Sequence, residues 1–444
     1  MVRKIGIAIL VCVLFLGGCR KSELEVISEE TIRDDGGGTG TVTWQAGKKY
    51  VLEGLVFVND GQELTIEAGT VIRGKTGQAD KASALIVARG ARIIAKGTPE
   101  DPIIFTVEGD DLEGSIPIMT RGLWGGLIIL GNAPLNVTGS EASIEGIPIT
   151  EPRGVYGGDN PQDDSGILEY VSIRHGGTNI GQGNEINGLT LGGVGSGTVI
   201  DHVEVISNAD DGVEFFGGTV NCKHLAVAFC GDDAFDFDMG YQGKGQFWLA
   251  IQAADQGNLI AELDGSPDHV SAKPYTMPKV LNITTIGRGL DKSAGLITFA
   301  NNAAGMFANS IFVSEQRGVR LEYAEGASNS TEQWQNENLV VGGNTFYNVA
   351  EGTPGSIFTI IGDEPDEDLL GAWHQYFYDA SNQIKDPGII ADGETYQVFP
   401  SEDFEPTVIN VQDSWFEQVD YAGAFKNYNW LLGWSLLSRE GVVR

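Results

Sequence analysis

Seven carboxylates lie close together near the middle of the chain, at matching positions of two consecutive segments. They are Asp210, Asp211, Glu214, Asp232, Asp233, Asp236 and Asp238. If the two segments stack, these groups repel one another at strand spacing unless something offsets their charge. Ca²⁺ would offset it, because this ion takes about six to eight oxygen ligands; turn capping or raised carboxyl pKa values are the other ways. The cluster therefore predicts either a Ca²⁺ site, with Ca²⁺ as the candidate cofactor, or turn-capping carboxylates.

The same cluster contains the residues that a carbohydrate-active enzyme would use. The run Cys230 to Asp233 is similar to the Asp-Asp motif of β-helical polygalacturonases, and Asp236 follows it closely. The companion Gly-His-Gly and Arg-Ile-Lys motifs are missing, and His175 stands between Arg174 and two glycines instead. Hydrolysis needs carboxyl separations of about 5 Å or about 6.5–9.5 Å, which a stacked column does not guarantee. Catalysis by Asp232, Asp233 and Asp236 therefore stays an alternative.

Other candidate ligands carry weaker signals. His202 and His224 lie one repeat apart and could bind a metal, but repetition alone stacks like residues, and no third ligand is specified. Cys222 and Cys230 are separated by eight residues, about 26 Å when extended, whereas a disulfide needs Cα atoms within about 7 Å. We expect packed free thiols. The glycine cluster at 193–197 lacks the Lys-Ser/Thr pair of a phosphate-binding loop.

A repeat of about 22 residues must position these side chains. At this offset His202 falls on His224, and Glu214 falls on Asp236. Short alternating apolar runs broken by Gly, Asn and Asp are typical of coils that stack at strand spacing. The sequence therefore predicts an all-β fold, a right-handed parallel β-helix. Alternation puts the valine and phenylalanines beside Glu214 and Asp236 inside the coil, so the two carboxylates point outward, one above the other.

The repeat predicts coils over residues 41–345, with inserted loops near 138–165 and 255–278 where polar, Gly-rich segments break the period. Residues 346–444 are predicted to form a mixed C-terminal cap, because a solenoid needs its last coil covered. The alternative for this region is an aromatic ligand platform built from tryptophans. These are Trp373, Trp415, Trp430 and Trp434.

The N-terminal sequence predicts export. Residues 1–18 combine two basic residues with an apolar run of about a dozen, which is too short to span a membrane. The run ends at Leu16-Gly17-Gly18-Cys19, which resembles the lipobox of bacterial lipoproteins, so Cys19 is the predicted lipidation site. Residues 19–40 are polar and Gly-rich and predict a lipidated flexible tether. No later segment is apolar for long enough to predict a transmembrane helix, so the lipid is the expected anchor.

Five stretches spread over most of the remaining chain form a recognisable set. They are Leu64–Ile72, Trp124–Gly131, Asp210–Gly218, Gly423–Phe425 and Trp430–Trp434. As a set they resemble β-helical outer-membrane lipoproteins of Bacteroidetes. The resemblance implies a lipid-anchored protein of the outer membrane, exposed on the cell surface, with a TonB-dependent transporter as partner. It implies no particular reaction.

These features together predict a non-catalytic surface binding protein that presents a carbohydrate or another small ligand to such a transporter, with Ca²⁺ on the acidic column. The alternatives are a carbohydrate-active enzyme, either a polysaccharide lyase or a glycoside hydrolase, and a structural or adhesive surface protein. The formal net charge of −33 argues against nucleic acid as a partner, because a phosphate backbone requires a basic face.

Overall fold

The computed structural model describes residues 29–181, 184–391 and 395–444, with the side chains of residues 80 and 180–185 left aside. The predicted signal peptide and Cys19 lie outside these residues. Within them, two long sheets of parallel strands face each other, and we call these sheet A and sheet B. No helix among the described residues combines the length and the apolar character needed to cross a membrane.

Sheet B has ten strands, each contributed by a successive coil. They are Leu55–Val58, Ala84–Val87, Leu127–Leu130, Leu189–Gly192, Val213–Phe216, Phe235–Asp238, Leu259–Leu263, Gly295–Phe299, Arg317–Tyr323 and Phe358–Gly362. Sheet A has seventeen. They are Glu29–Ile32, Val42–Trp44, Lys49–Leu52, Glu63–Ile66, Val71–Gly74, Arg92–Lys96, Ile103–Val107, Gly166–Arg174, Val199–Ile206, Asn221–Ala228, Lys244–Ile251, Lys279–Gly289, Gly305–Ala308, Ile311–Glu315, Leu339–Gly342, Thr345–Val349 and Gln383–Ile384.

Smaller elements complete the described chain. Three antiparallel pairs join Ala142–Ser143 with Val155–Tyr156, Asn179–Gly181 with Asn184–Glu185, and Ile390–Ala391 with Tyr396–Gln397. The helices are Ser330–Gln335, Pro354–Ile357, Glu367–Asp379 and Leu436–Arg439, with 3-10 turns at Ala79–Lys81 and Pro152–Gly154.

The stacked coils confirm the predicted right-handed parallel β-helix. Strand Val213–Phe216 pairs in parallel with Phe235–Asp238, and the 22-residue offset puts Phe215 beside Phe237. These two rings stack inside the solenoid with centroids 5.1 Å apart. Equivalent apolar side chains therefore form continuous interior columns, which is why the sequence of one coil repeats in the next.

Sheet A bends at a corner where one residue of each long strand adopts a left-handed conformation. The residues are Tyr170, His202, His224, Phe247 and Asn282, with φ between 48° and 61°. Strand Gly166–Arg174 shows the effect, because its first half pairs with Arg92–Lys96 and its second half with Ile103–Val107. This conformation is unfavourable for L-residues other than asparagine and a few others. At the four aromatic positions, ring stacking offsets the cost, since neighbouring ring centroids lie 4.2–5.3 Å apart.

The solenoid extends beyond both predicted limits. Glu29–Ile32 pairs with Lys49–Leu52, so residues 29–32 of the predicted 19–40 tether form a strand of the first coil. At the other end, Phe358–Gly362 and Gln383–Ile384 still stack on earlier coils within the predicted 346–444 cap. Phe358 is buried in the solenoid core and Ile32 packs partly against that core, so both continue the apolar interior.

The predicted cap divides into two parts with different positions. The helix Glu367–Asp379 places Trp373 and Phe377 in the solenoid core, against Phe358. Residues 404–444, which we call the strap, instead lie along the outer face of sheet A and return toward the early coils. The predicted 255–278 insertion also divides, because Leu259–Leu263 is a strand of sheet B and only the residues after it leave the coil.

Candidate functional site

The acidic residues lie on the outer face of sheet B. Glu214 pairs in register with Asp236, and Asp236 pairs with Glu262 of the next coil. Phe215 and Phe237 on the same strands are fully buried in the solenoid interior. The carboxylates therefore point outward and stack, as the alternation predicts. We call Glu214, Asp236 and Glu262 the acidic column.

This outer face is covered, which the sequence did not predict. Glu214 is only 6% exposed. Tyr156, from the loop near 138–165, donates its hydroxyl to the Met239 sulfur just after the column strand. The two inserted loops also touch, because Asp268 accepts a hydrogen bond from the Thr138 N–H at 2.8 Å. The loops form a roof that buries Glu214, while Asp236 and Glu262 are half-buried.

The turn before each column strand uses its aspartates differently. Asp211 Oδ1 accepts a hydrogen bond from the Asp233 N–H at 2.8 Å, and Asp233 Oδ1 accepts one from the Leu259 N–H. Each carboxylate thus caps the turn of the following coil. The turn-capping interpretation therefore describes Asp211 and Asp233, while Glu214 and Asp236 are left facing each other.

Electrostatics across the cluster favour protonation or a counter-ion. Burial raises the pKa of Asp211, Glu214, Asp233 and Asp236 well above the usual values, and repulsion from neighbouring carboxylates adds to this effect. Burial likewise raises the pKa of Asp238 to about 7. Asp236 Oδ1 is buried without a hydrogen-bond partner among the described residues. An oxygen of this kind is costly unless it meets a proton or a cation.

Two overlapping groups of oxygens in the cluster are close enough to share an ion. Carboxylate oxygens of Asp211, Glu214 and Asp236 lie within 4.8 Å of one another, and so do those of Asp210, Asp211 and Asp232. A donor set of oxygens alone suits a hard cation such as Ca²⁺. The residues present therefore fit the predicted ion.

Sequence reasoning missed several residues of this site. Asn187 donates its side-chain N–H to both Glu214 and Glu145, while its own Oδ1 is buried without a partner in the described chain. Glu262 extends the acidic column, and burial raises its pKa. The spacing from Asp236 to Glu262 is longer than the 22-residue spacing from Glu214 to Asp236, so the repeat does not reveal Glu262.

The two histidines stack across the coils, with ring centroids 4.2 Å apart. With Asp201 they bring three ligand atoms within 4.8 Å of one another, which supplies the third ligand that the sequence did not specify. Asp201, which the sequence did not single out, lies between them, with Oδ1 at 2.9 Å from His202 Nδ1 and 2.8 Å from His224 Nδ1. Burial raises the pKa of Asp201, but its hydrogen bonds to the two imidazoles outweigh burial and hold it well below the usual value. The group is a hydrogen-bonded support for the strap.

The remaining candidates are structural. Cys222 and Cys230 are buried free thiols, as expected, and burial raises the pKa of Cys230 to about 12. His175 contacts the Thr120 carbonyl through Nδ1, and Arg174 lies on sheet A, 4.0 Å from Glu204. The tryptophan platform is not formed, because Trp430 and Trp434 pack against sheet A and Trp373 packs in the core.

Fold and site together define a parallel β-helix protein with a roofed acidic column on one outer face. The chain belongs to the pectate-lyase-like beta helix domain family, whose model matches residues 36–361. No curated protein and no solved structure matches the chain.

Proposed function

We propose that this protein is a cell-surface lipoprotein that binds a ligand without transforming it and holds Ca²⁺ on the acidic column. The observation that supports the ion is the buried, unpartnered Asp236 Oδ1 among carboxyls whose pKa values are raised by burial. A divalent cation would turn this mutual repulsion into coordination. Asp211, Glu214 and Asp236 would hold the ion.

The proposed ion predicts a direct effect on stability. Saturating Ca²⁺ binds the folded state and should raise its free energy of unfolding by about 2.7 kcal/mol at a concentration a hundredfold above Kd. Thermal melting of the EDTA-treated protein with and without millimolar Ca²⁺ measures this. The variant D236N should lose the shift, while E351Q, which changes an exposed carboxylate outside the column, should keep it. An equal melting temperature with and without Ca²⁺ would rule out the ion.

The membrane location rests on the sequence around Cys19. We propose that Cys19 carries lipid, that the anchor lies in the outer membrane facing the cell exterior, and that a TonB-dependent transporter is the partner. Labelling with a palmitate analogue should mark the wild type and not C19A. Pull-down of the lipidated protein from membranes should recover a transporter as a stoichiometric partner, and its absence would contradict the presenting role.

A carbohydrate-active enzyme is the second candidate, supported by one observation beside the family. Burial brings the pKa of Asp238 to about 7, close to the value that suits a general acid at neutral pH. Asp232, Asp233 and Asp236 would supply the other carboxylates, although Asp233 already caps a turn. A panel of polysaccharides tested for reducing ends and unsaturated products, with and without EDTA, separates the candidates. Product formation that D236N and D238N abolish would establish the enzyme.

A further inference from the structure

A second concave site lies between the strap and the residues just before it, on the opposite side of the solenoid from the acidic column. A cavity of 390 Å³ lies between residues 400–406 and residues 420–427. A neighbouring cavity of 330 Å³ shares Tyr421, Lys426 and Asn427 with it and continues toward His224 and Tyr428. The two cavities are of the size of ordinary ligand sites. We call them together the strap groove.

Aromatic rings and carboxylates make up the chemistry of the strap groove. Phe404 and Tyr421 are half-buried in its wall, and Tyr428 stands 68% exposed at the far cavity. Glu402 and Glu405 are exposed on the rim. Neither carboxylate takes part in an ion pair within the part of the chain that the structure describes.

The two lysines at the groove each contact another group of the chain. The Lys426 ammonium lies 2.5 Å from the Asp420 carboxylate. Lys385 donates to the backbone carbonyl of Glu405 at 3.0 Å. Glu402 and Glu405 thus have no lysine paired to their carboxylates among the described residues, although the Lys385 ammonium keeps its charge beside the Glu405 backbone. The formal net charge of the whole protein is −33.

The rings of the groove already accept ammonium groups from the chain itself. Lys385 Nζ lies 5.4 Å from the Phe404 ring centroid, and Lys426 Nζ lies 5.5 Å from that of Tyr421. Both distances fall within the range of about 6 Å in which a cation is attracted to a ring face. These two rings therefore attract cationic groups, and an incoming arginine would take the place of a lysine or stack on the opposite ring face.

We propose that the strap groove binds a basic peptide segment of a partner protein, with an arginine side chain in the larger cavity. A guanidinium can stack on Phe404 or Tyr421 while donating to the carboxylates of Glu402 and Glu405, and its flat shape suits both contacts. The negative charge of the whole protein would draw such a segment in from solution. This site is independent of the ion on the acidic column.

Fluorescence anisotropy with labelled peptides of about 12 residues tests this proposal on the full chain. The probe alternates arginine and glycine, and the reference peptides replace arginine with glutamate or serine. The wild type should bind the arginine peptide alone, and added salt should weaken binding because the contacts include exposed charges. Absence of arginine-peptide binding at low salt, or preference for a neutral oligosaccharide offered as competitor, would overturn the proposal.

Two charge-matched double variants separate the groove from general acidity. E402Q with E405Q removes the rim carboxylates, whereas E351Q with E364Q removes two exposed carboxylates elsewhere. The first should weaken peptide binding about five- to tenfold and the second should leave it unchanged, since an exposed charge acts mainly on its near neighbours. F404A should weaken binding to a similar degree. Equal losses in both double variants would mean diffuse attraction to an acidic protein and would contradict the site. Unchanged melting temperatures confirm that the variants fold.

Discussion

The outer faces of sheet A and sheet B are both covered by chain, yet the buried polar groups beneath the two covers have different neighbours. Under the strap, Glu204 accepts the Leu436 N–H at 2.7 Å, and Gln246 makes two hydrogen bonds to the backbone of Glu417, each 2.9 Å long. Asn282 donates to the Tyr421 carbonyl. These side chains continue the strap's backbone hydrogen bonding, so their role is to fix the strap.

Under the roof of sheet B, the buried polar groups mainly face one another. Glu214 and Asp236 are neighbours in register, and Asp236 Oδ1 has no partner in the described structure. Burial without partners opposes folding. Glu204 Oε2 under the strap also lacks a partner in the described chain, so the two covers differ in what surrounds the buried groups: strap backbone on sheet A, and other carboxylates on sheet B. The comparison teaches that polar side chains bonded to a covering segment fix that segment, whereas stacked carboxylates mark a place where a proton or a cation can bind.

The largest expected effect comes from removing a buried carboxylate that bonds to the strap. Glu204 is fully buried, accepts a hydrogen bond from Ser172, and lies 4.0 Å from the buried Arg174 guanidinium. E204A should lower the free energy of unfolding by about 3–5 kcal/mol, because it leaves that guanidinium uncompensated. Urea denaturation measures the loss. E204Q keeps an acceptor and should lose less; a loss under 1 kcal/mol for E204A would show that the strap does not depend on this contact.

Stability should also depend on pH, and the buried carboxylates of sheet B set the direction of this dependence. The folded-state pKa of Asp238, raised to about 7 by burial, exceeds its unfolded value near 3.9. Between those values the folded protein binds more protons, so in EDTA its stability should fall as pH rises from 4 to 7, by on the order of 3 kcal/mol. Denaturation at several pH values measures the slope. D238N should flatten it, and so should Ca²⁺, which keeps the carboxylates ionised.

The lowered pKa of Asp201 on sheet A has the opposite sign. Its hydrogen bonds to His202 and His224 favour the ionised form. Stability from this group is present above the unfolded pKa and is lost as pH falls below it. A D201N variant should therefore remove part of the acid sensitivity below about pH 4 and leave the slope between pH 4 and 7 intact.

Neutralising one carboxylate of the acidic column should stabilise the ion-free protein. D236N removes the charge that burial and the neighbouring acids oppose, and we expect the free energy of unfolding in EDTA to rise by about 1–2 kcal/mol. Chemical denaturation measures the gain, with the exposed D403N as the charge-matched control. Destabilisation by D236N in EDTA would mean that this carboxylate is structural.

The smallest effect is expected for the neutral hydrogen bonds of Gln246, which is fully buried beneath the strap. Q246L removes two hydrogen bonds to the backbone of Glu417 and one to the Asn282 side chain. We expect a loss of about 1 kcal/mol in urea denaturation. A loss as large as that of E204A would mean that each strap contact is needed for the others.

Much of the fold could be predicted from the sequence, because the interior columns of apolar side chains repeat with each coil. The spacing of Phe215 and Phe237 predicted the register that the structure shows, and with it the stacking of Glu214 on Asp236. The covering of that column could not be predicted from the sequence. Alternation distinguishes inward-facing from outward-facing side chains, but it does not say whether an outward face is covered by another segment.

The strap was missed for the same reason, although a signal exists. Ile206, Leu249 and Ile286 occupy outward positions of sheet A, and they pack with Trp430 and Trp434 of the strap. Apolar residues recurring on an outward face require a partner surface. Which distant segment supplies it depends on contacts between residues 144 to 228 positions apart, which a local period cannot encode.

The path of the strap also affects how the protein unfolds. In a solenoid whose coils touch only their neighbours, unfolding can begin at an end and spread one winding at a time. Here Trp434 packs edge-on against Tyr170, with ring centroids 5.8 Å apart, while Ile409 is bonded to Asn309. One segment thereby fastens early windings to late ones. The windings between them should melt in a single transition, and during synthesis they should stay unfinished until the last residues arrive.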